Sequence, residues 1–195
     1  MNRPGAPLGA DLFGLAHRVH GRLRAAEAGP PSIVMIDGRS GSGKTSLAAG
    51  LARLLGAAIL AVEDLYPGWD GLAAGSASLA TAIETGTYRR YDWHAAAFTE
   101  RIEIDPARRL VIEGCGALSD ASVAAAARRA RGTGGGAVHT VWVDCPAEER
   151  RERALARDGD TFRPHWDAWA AQEHTLFART RPVALAREII HAESR

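Results

Sequence analysis

Hydrophobic positions along the chain fall into short continuous runs that alternate with longer stretches of helical spacing. Residues 32–36, Ser-Ile-Val-Met-Ile, form an apolar run rich in β-branched side chains between Pro30-Pro31 and Gly38, and the pattern predicts a strand buried on both faces. Similar runs predict further strands at 57–62, 109–113, 138–143 and 188–191. Leu8, Leu12, Leu15, Val19 and Leu23 recur at helical intervals and predict an amphipathic helix over about residues 8–28, ahead of the first strand. Leu47, Leu51, Leu54 and Leu55 predict a helix over 46–55, and further helices are expected at 76–84, 119–131, 147–157 and 165–179. Residues 68–78 and 132–136 are glycine-rich and predict surface loops. Strands alternating with helices argue for a parallel sheet covered on both faces, with ligands at the carboxyl ends of its strands. The expectation is one α/β domain over residues 1–195, with no repeats.

Composition sharpens one point of that scheme. The 195 residues carry a formal charge of +1, and Lys44 is the only lysine beside 23 arginines. It stands in Gly38-Arg39-Ser40-Gly41-Ser42-Gly43-Lys44-Thr45, a full match to GxxxxGK[ST] between a predicted strand and a predicted helix. The glycines let backbone N–H groups converge on an anion, and the positive end of the following helix, from Ser46, adds to the attraction. An ammonium on a flexible stem reaches the outer phosphates of a nucleotide, where a planar guanidinium fits poorly. Thr45 is placed to hold Mg²⁺ through its hydroxyl.

The near-neutral charge gives no sign of a nucleic-acid partner. Cys115 and Cys145 have neither CxxC nor metal-ligand spacing. No run of about 18 apolar residues suggests a membrane span, and no long apolar segment opens the chain. A soluble, cytoplasmic protein is expected. A homo-oligomer is compatible with this composition.

Acids stand at the ends of two predicted strands, as Glu63-Asp64 and as Glu113. In a parallel sheet both would lie beside the phosphate loop, where metal-bound waters and an attacking hydroxyl belong. On the helix at 147–157, Arg150, Arg153 and Arg157 share one face. Trp166 and Trp169, three apart on a helix, suit core packing better than base stacking. The histidines offer no triad or metal spacing.

These motifs, in this order, resemble the uridine kinase and nicotinamide riboside kinase branch of P-loop kinases. Glu63-Asp64-Leu65-Tyr66 falls where that family has Asp-x-Phe-Tyr or Asp-Asp-Phe-Tyr. Tyr91-Asp92-Trp93 is similar to its ribose-holding segment, Val111-Ile112-Glu113-Gly114 to its strand ending in Glu-Gly, and 143–158 to its fourth strand and arginine-bearing lid, here placed around residues 147–163. The resemblance implies a P-loop NTPase three-layer sandwich with a five-stranded parallel sheet, of the nucleoside and nucleotide kinase type. It implies ATP and Mg²⁺ as cofactors, with residues 38–46 cradling the nucleotide and Lys44 on its β and γ phosphates. Thr45 and Glu113 would serve the metal, and Glu63 or Asp64 would accept the proton of the substrate hydroxyl. Tyr66, Tyr91, Asp92 and Trp93 would bind the acceptor, Asp92 by its vicinal diol, and Arg153 and Arg157 would close over the transferring group.

Two departures stand out. The first acid of the motif is Glu63, one methylene longer than the family's Asp, and the segment after Arg157 lacks the arginine-rich continuation of uridine kinases. The expected activity is transfer of a γ-phosphoryl group to a hydroxyl of a nucleoside or nucleoside-like metabolite. The alternatives are a kinase of another polyol, sugar acid or antibiotic and, in another class, an ATP-binding regulatory switch with little catalysis.

Overall fold

The computed structural model describes residues 10–25, 31–132 and 136–192. Five strands, β1 (Ile33–Gly38), β2 (Ala58–Ala61), β5 (Leu110–Glu113), β6 (Val138–Asp144) and β7 (Glu188–His191), form one parallel sheet in the order β2-β5-β1-β6-β7. The strand that leads into the phosphate loop is therefore central, and all six of its residues are buried. Alternation along β1 sends its side chains to two separate cores. Ile33 and Met35 join one with Leu60, Ile112 and Trp142, whereas Val34 and Ile36 join the other with Val111, Val141 and Val143.

Helices α1 (Ala10–Ala25) and α2 (Lys44–Leu55) cover the second core, with Ala16, Val19 and Leu23 packed over Leu47 and Leu51. The two helices approach closely at Gly50, where a Cβ would stand 2.7 Å from that of Ala16. On the other face lie α3 (Leu72–Thr85), α4 (Asp120–Gly132) and α6 (Trp166–Thr180), which bury Leu79, Ile83, Ala125, Ala126, Leu176 and Phe177. Helix α5 (Ala147–Asp158) comes after β6 and crosses the carboxyl edge, and a short α7 (Pro182–Leu185) leads into β7. The result is the expected three-layer α/β/α sandwich.

The expected first helix is described over Ala10–Ala25; residues 8, 9 and 26–28 of the expectation, like 133–135 of the loop expected at 132–136, lie outside the described residues. Two features differ from the sequence reading. The loop expected over 68–78 ends early, because Leu72, Gly75, Ser76 and Leu79 form a buried face and α3 begins at Leu72. In addition, β3 (Thr87–Asp92) and β4 (Ala97–Glu103) pair antiparallel as a hairpin apart from the main sheet. Nearly all of β4 faces solvent, so no apolar run betrays it. Among the described residues, no helix is long and apolar enough to cross a membrane.

Candidate active site

Register brings the chemistry together. In adjacent strands Glu113 lies level with Ile36 and with Ala61, so the acid ending β5 faces both the start of the phosphate loop and the turn after β2. That turn is a single 3-10 turn, Val62–Leu65, which buries Val62 and Leu65. Gly114 is needed here: at φ 144° it passes close to Val62, and a Cβ would stand 2.8 Å from the valine Cβ.

The phosphate loop is held tightly from outside. Gly41, at φ 80°, packs under the start of α5, where a Cβ would meet the Arg150 carbonyl oxygen at 2.0 Å. Arg150 adds a side-chain clasp, donating to the Ser40 carbonyl at 3.1 Å and to the Cys145 carbonyl at 3.1 Å.

Two further acids organise the loop, and the sequence reading passed over both. Asp37 is fully buried between β1 and the loop; its carboxylate accepts from the N–H groups of Gly38 at 2.7 Å, Gly116 at 3.0 Å and Leu118 at 2.8 Å. Burial pushes its pKa up to about 7, against the opposing pull of those donors and of Lys44. Glu173, 1% exposed on α6, accepts from Ser40 N–H at 2.7 Å and from the Cys115 thiol at 3.3 Å, while its other oxygen meets Arg39 at 3.5 Å. Arg39 also lies over the Phe177 ring, 5.2 Å from its centroid, so the loop is fastened to two successive turns of α6.

Signals for these acids exist in the chain. Asp37 is an acid wedged between an apolar strand and the first glycine of the motif, and Glu173 interrupts the apolar stripe Trp166, Trp169, Leu176, Phe177. Because Asp37 satisfies three buried N–H groups at once, Asp37→Ala is expected to lower unfolding free energy by about 3–5 kcal/mol, measured by urea denaturation. An effect below about 1 kcal/mol would contradict this role.

Within the cleft the expected residues gather. Ser40, Gly41, Lys44, Thr45, Glu63, Glu113 and Arg157 line one connected space. Thr45 Oγ1 donates to Glu113 Oε2 at 3.1 Å, and Lys44 Nζ reaches the Arg39 carbonyl at 3.4 Å. Burial weakens the Lys44 ammonium, but the surrounding Cys115, Glu113, Glu173 and Asp37 overcompensate and hold its pKa above the ordinary lysine value. Burial raises Glu113, with Lys44 and Thr45 pulling it down.

Glu63 is exposed towards the open mouth of the cleft, yet its crowded surroundings raise its pKa by desolvation; Arg157 opposes the rise and Glu113 and Asp158 add to it. Burial pushes the Cys115 thiol up to about 12, so this cleft cysteine stays protonated at neutral pH.

The structure separates Glu63 from its neighbour. Asp64 accepts from the Tyr88 hydroxyl at 3.1 Å and from Arg90 Nε at 3.2 Å, which ties the 3-10 turn to the hairpin and keeps this carboxylate out of the cleft wall.

Other expected residues divide in the same way. Tyr66 and Trp93 line the cleft, with Trp69, Phe162 and Trp169 beside them. The Tyr66 hydroxyl donates to the Cys115 carbonyl at 2.7 Å. Tyr91 and Asp92 stay outside that wall: Tyr91 packs edge-on against Trp93 and Phe98, and Asp92 accepts from the N–H groups of His94 at 2.8 Å and Ala95 at 3.0 Å, capping the hairpin turn. Those two donors hold the Asp92 carboxyl below the usual range.

Arg157 lines the cleft paired with Asp158, its Nη2 at 2.6 Å from the carboxylate. Arg153 points elsewhere, to Glu149 at 3.0 Å and to the Ala192 carbonyl at 3.3 Å beyond β7. The remaining motif residues, Gly38, Arg39, Ser42, Gly43 and Ser46, form the loop and first helical turn behind the wall.

The donor set suits the expected cofactors. Thr45, Glu63 and Glu113 offer only oxygen, and Mg²⁺ is commonly held by one or two carboxylates together with phosphate oxygens and water. Among the described residues, no group of three His, Cys, Asp or Glu side chains could hold a metal ion.

No family model and no curated protein matches the chain. Among solved structures it is similar to a possible uridine kinase from Bacillus stearothermophilus, at 16% identity and a TM-score of 0.55, over 92% of this chain and 99% of that one. It also aligns with a shikimate kinase from Bacteroides thetaiotaomicron, at 15% identity and a TM-score of 0.46, over 84% of this chain and 89% of the other. A gluconokinase from Sinorhizobium meliloti 1021 aligns at 17% identity and a TM-score of 0.45, over 85% of each chain. The likeness to the first of these supports the three-layer fold.

Proposed function

We propose that this protein is an ATP- and Mg²⁺-dependent phosphotransferase that moves a γ-phosphoryl group to a hydroxyl of a nucleoside or nucleoside-like small molecule. The observation that carries the reading is the single cleft in which Lys44, Thr45, Glu113, Glu63 and Arg157 adjoin an aromatic-walled recess. A regulatory switch needs the phosphate loop but has no use for an acid beside such a recess. The fold likeness to a possible uridine kinase agrees with this choice.

The chemistry rests on position and charge. The loop amides and the Lys44 ammonium hold the phosphate tail, and Thr45 and Glu113 would hold a cation beside it. Such a cation would supply charge neutralisation on the phosphate oxygens. Glu63 accepts the proton of the acceptor hydroxyl; its raised pKa brings it nearer to that of an effective base. Arg157 sits close enough to Glu63 and Glu113 to influence both, and adds a second positive charge to the cleft wall that offsets charge spreading over the transferring group. Phosphoryl transfer needs little more than such positioning.

The test is acceptor-dependent ADP release across a panel of nucleosides, sugars, sugar acids and aminoglycosides with Mg·ATP. Nucleosides should give turnover well above the background. A flat response throughout, with nucleotide still bound, would leave the switch as the better reading.

A further inference from the structure

Two enclosed side-chain polar atoms lack a hydrogen-bond partner among the described residues: Ser42 Oγ and Trp169 Nε1. Ser42 belongs to the phosphate loop. Trp169 forms part of the same cleft wall, where its ring is 5% exposed and meets Tyr66 edge-on at 5.2 Å and Trp69 at 6.3 Å. The Tyr66 hydroxyl is directed to the Cys115 carbonyl. An indole N–H can only donate, and enclosing it without an acceptor carries the full penalty of its lost hydration. Buried polar groups that native proteins leave unpaired call for a specific reason.

The space beside this donor is already filled. The cleft has about 90 Å³ of free volume, well below the roughly 300–1,000 Å³ of small-molecule sites. Trp69 forms part of its wall, stacked on His165 at 4.2 Å and 10° and on Phe162 at 5.4 Å and 17°, and packed against Trp93 at 4.9 Å. The place that Trp69 takes is thus a slot that a flat ring fills against aromatic neighbours. The cations on the wall lie at the phosphate end, Lys44 in the loop and Arg157 paired with Asp158.

We infer that Trp169 Nε1–H is the donor that reads the phosphoryl acceptor, and that the acceptor carries an uncharged planar ring bearing a carbonyl oxygen or ring nitrogen, which enters the slot as Trp69 gives way. The inference rests on the phosphotransferase reading for the word acceptor, but the contact itself is a binding contact. It sets planar heterocycles above simple polyols and sugar acids, which would leave the donor unpaired.

Equilibrium binding to the full chain tests it, with uridine and cytidine as planar probes and D-ribose as the control without a planar base, in wild type, in Trp169→Phe, and in a variant carrying benzothienyl-alanine at residue 169. The last keeps the bicyclic shape and lacks the N–H. Both variants should weaken the planar probes about tenfold, leave D-ribose within about twofold and keep the Mg·ATP dissociation constant within about twofold, and the benzothienyl variant, rid of an unpaired donor, should melt no lower than wild type. If Trp169→Phe unfolds, the benzothienyl variant decides alone. Equal planar-probe affinity in wild type and the benzothienyl variant overturns the inference, and so does wild type that binds neither planar probe. Failure of the phosphotransferase reading looks different: uridine binds through Trp169 but elicits no ADP release.

Discussion

Glu63→Gln will lower acceptor-dependent turnover by about 10²- to 10⁴-fold while the Mg·ATP dissociation constant stays within about threefold. Asp64→Asn will lower it by less than about tenfold, because that carboxylate is already committed to Tyr88 and Arg90 on the hairpin. Two adjacent acids in one motif thus acquire opposite expectations from their hydrogen bonds alone. Gln keeps the length and shape of Glu63 and cannot accept the proton, so the defect should fall on kcat, not on KM for the nucleotide. Steady-state kinetics with the best acceptor of the panel, together with calorimetry for Mg·ATP, measure both quantities. A larger loss in Asp64→Asn than in Glu63→Gln would reverse the assignment of the base.

The second large effect is expected at Lys44. Removing its ammonium in Lys44→Ala takes away charge-assisted contacts to the phosphate tail and should raise the Mg·ATP dissociation constant about 100-fold or more, with turnover falling to the background. The same substitution leaves Glu113, Glu173 and Asp37 without the positive charge they surround, so the melting temperature should fall as well. Calorimetry performed well below the melting transition separates the two effects. Unchanged nucleotide affinity in a folded Lys44→Ala protein would remove the basis of the proposed function.

How far the chain discloses its own architecture depends on whether a residue's role leaves a mark on hydrophobic spacing. The central strand and its loop are plain, since a buried parallel strand reads as an unbroken apolar run and the motif demands a helix directly behind its lysine. The edge strand β7 has the same limits in sequence and structure, 188–191. The hairpin escapes a reading of this kind because β4 has no buried face to impose alternation, and its apolar residues, Ala97, Phe98 and Ile102, form no run among the charged and polar ones.

For the candidate site, family spacing brings Lys44, Thr45, Glu63, Glu113 and Arg157 to one cleft, yet it cannot say which way each neighbouring side chain turns. Asp92 serves its own hairpin turn and Arg153 serves the far end of β7, roles that depend on local backbone geometry rather than on spacing. Glu173 lies 129 residues beyond Lys44 and reaches the loop only because α6 crosses over it, a proximity that no linear pattern encodes.

Helix α6 has a mechanical consequence. Within one pair of turns it grips Ser40 through Glu173, holds the Trp69 carbonyl through Gln172 at 2.8 Å, and supplies Trp169 to the wall. A stiff rod fastened at both half-sites cannot tilt at one without displacing the other. A substitution that releases Glu173 or Gln172 lets the rod shift as a whole, and will therefore register in the kinetics of both ligands.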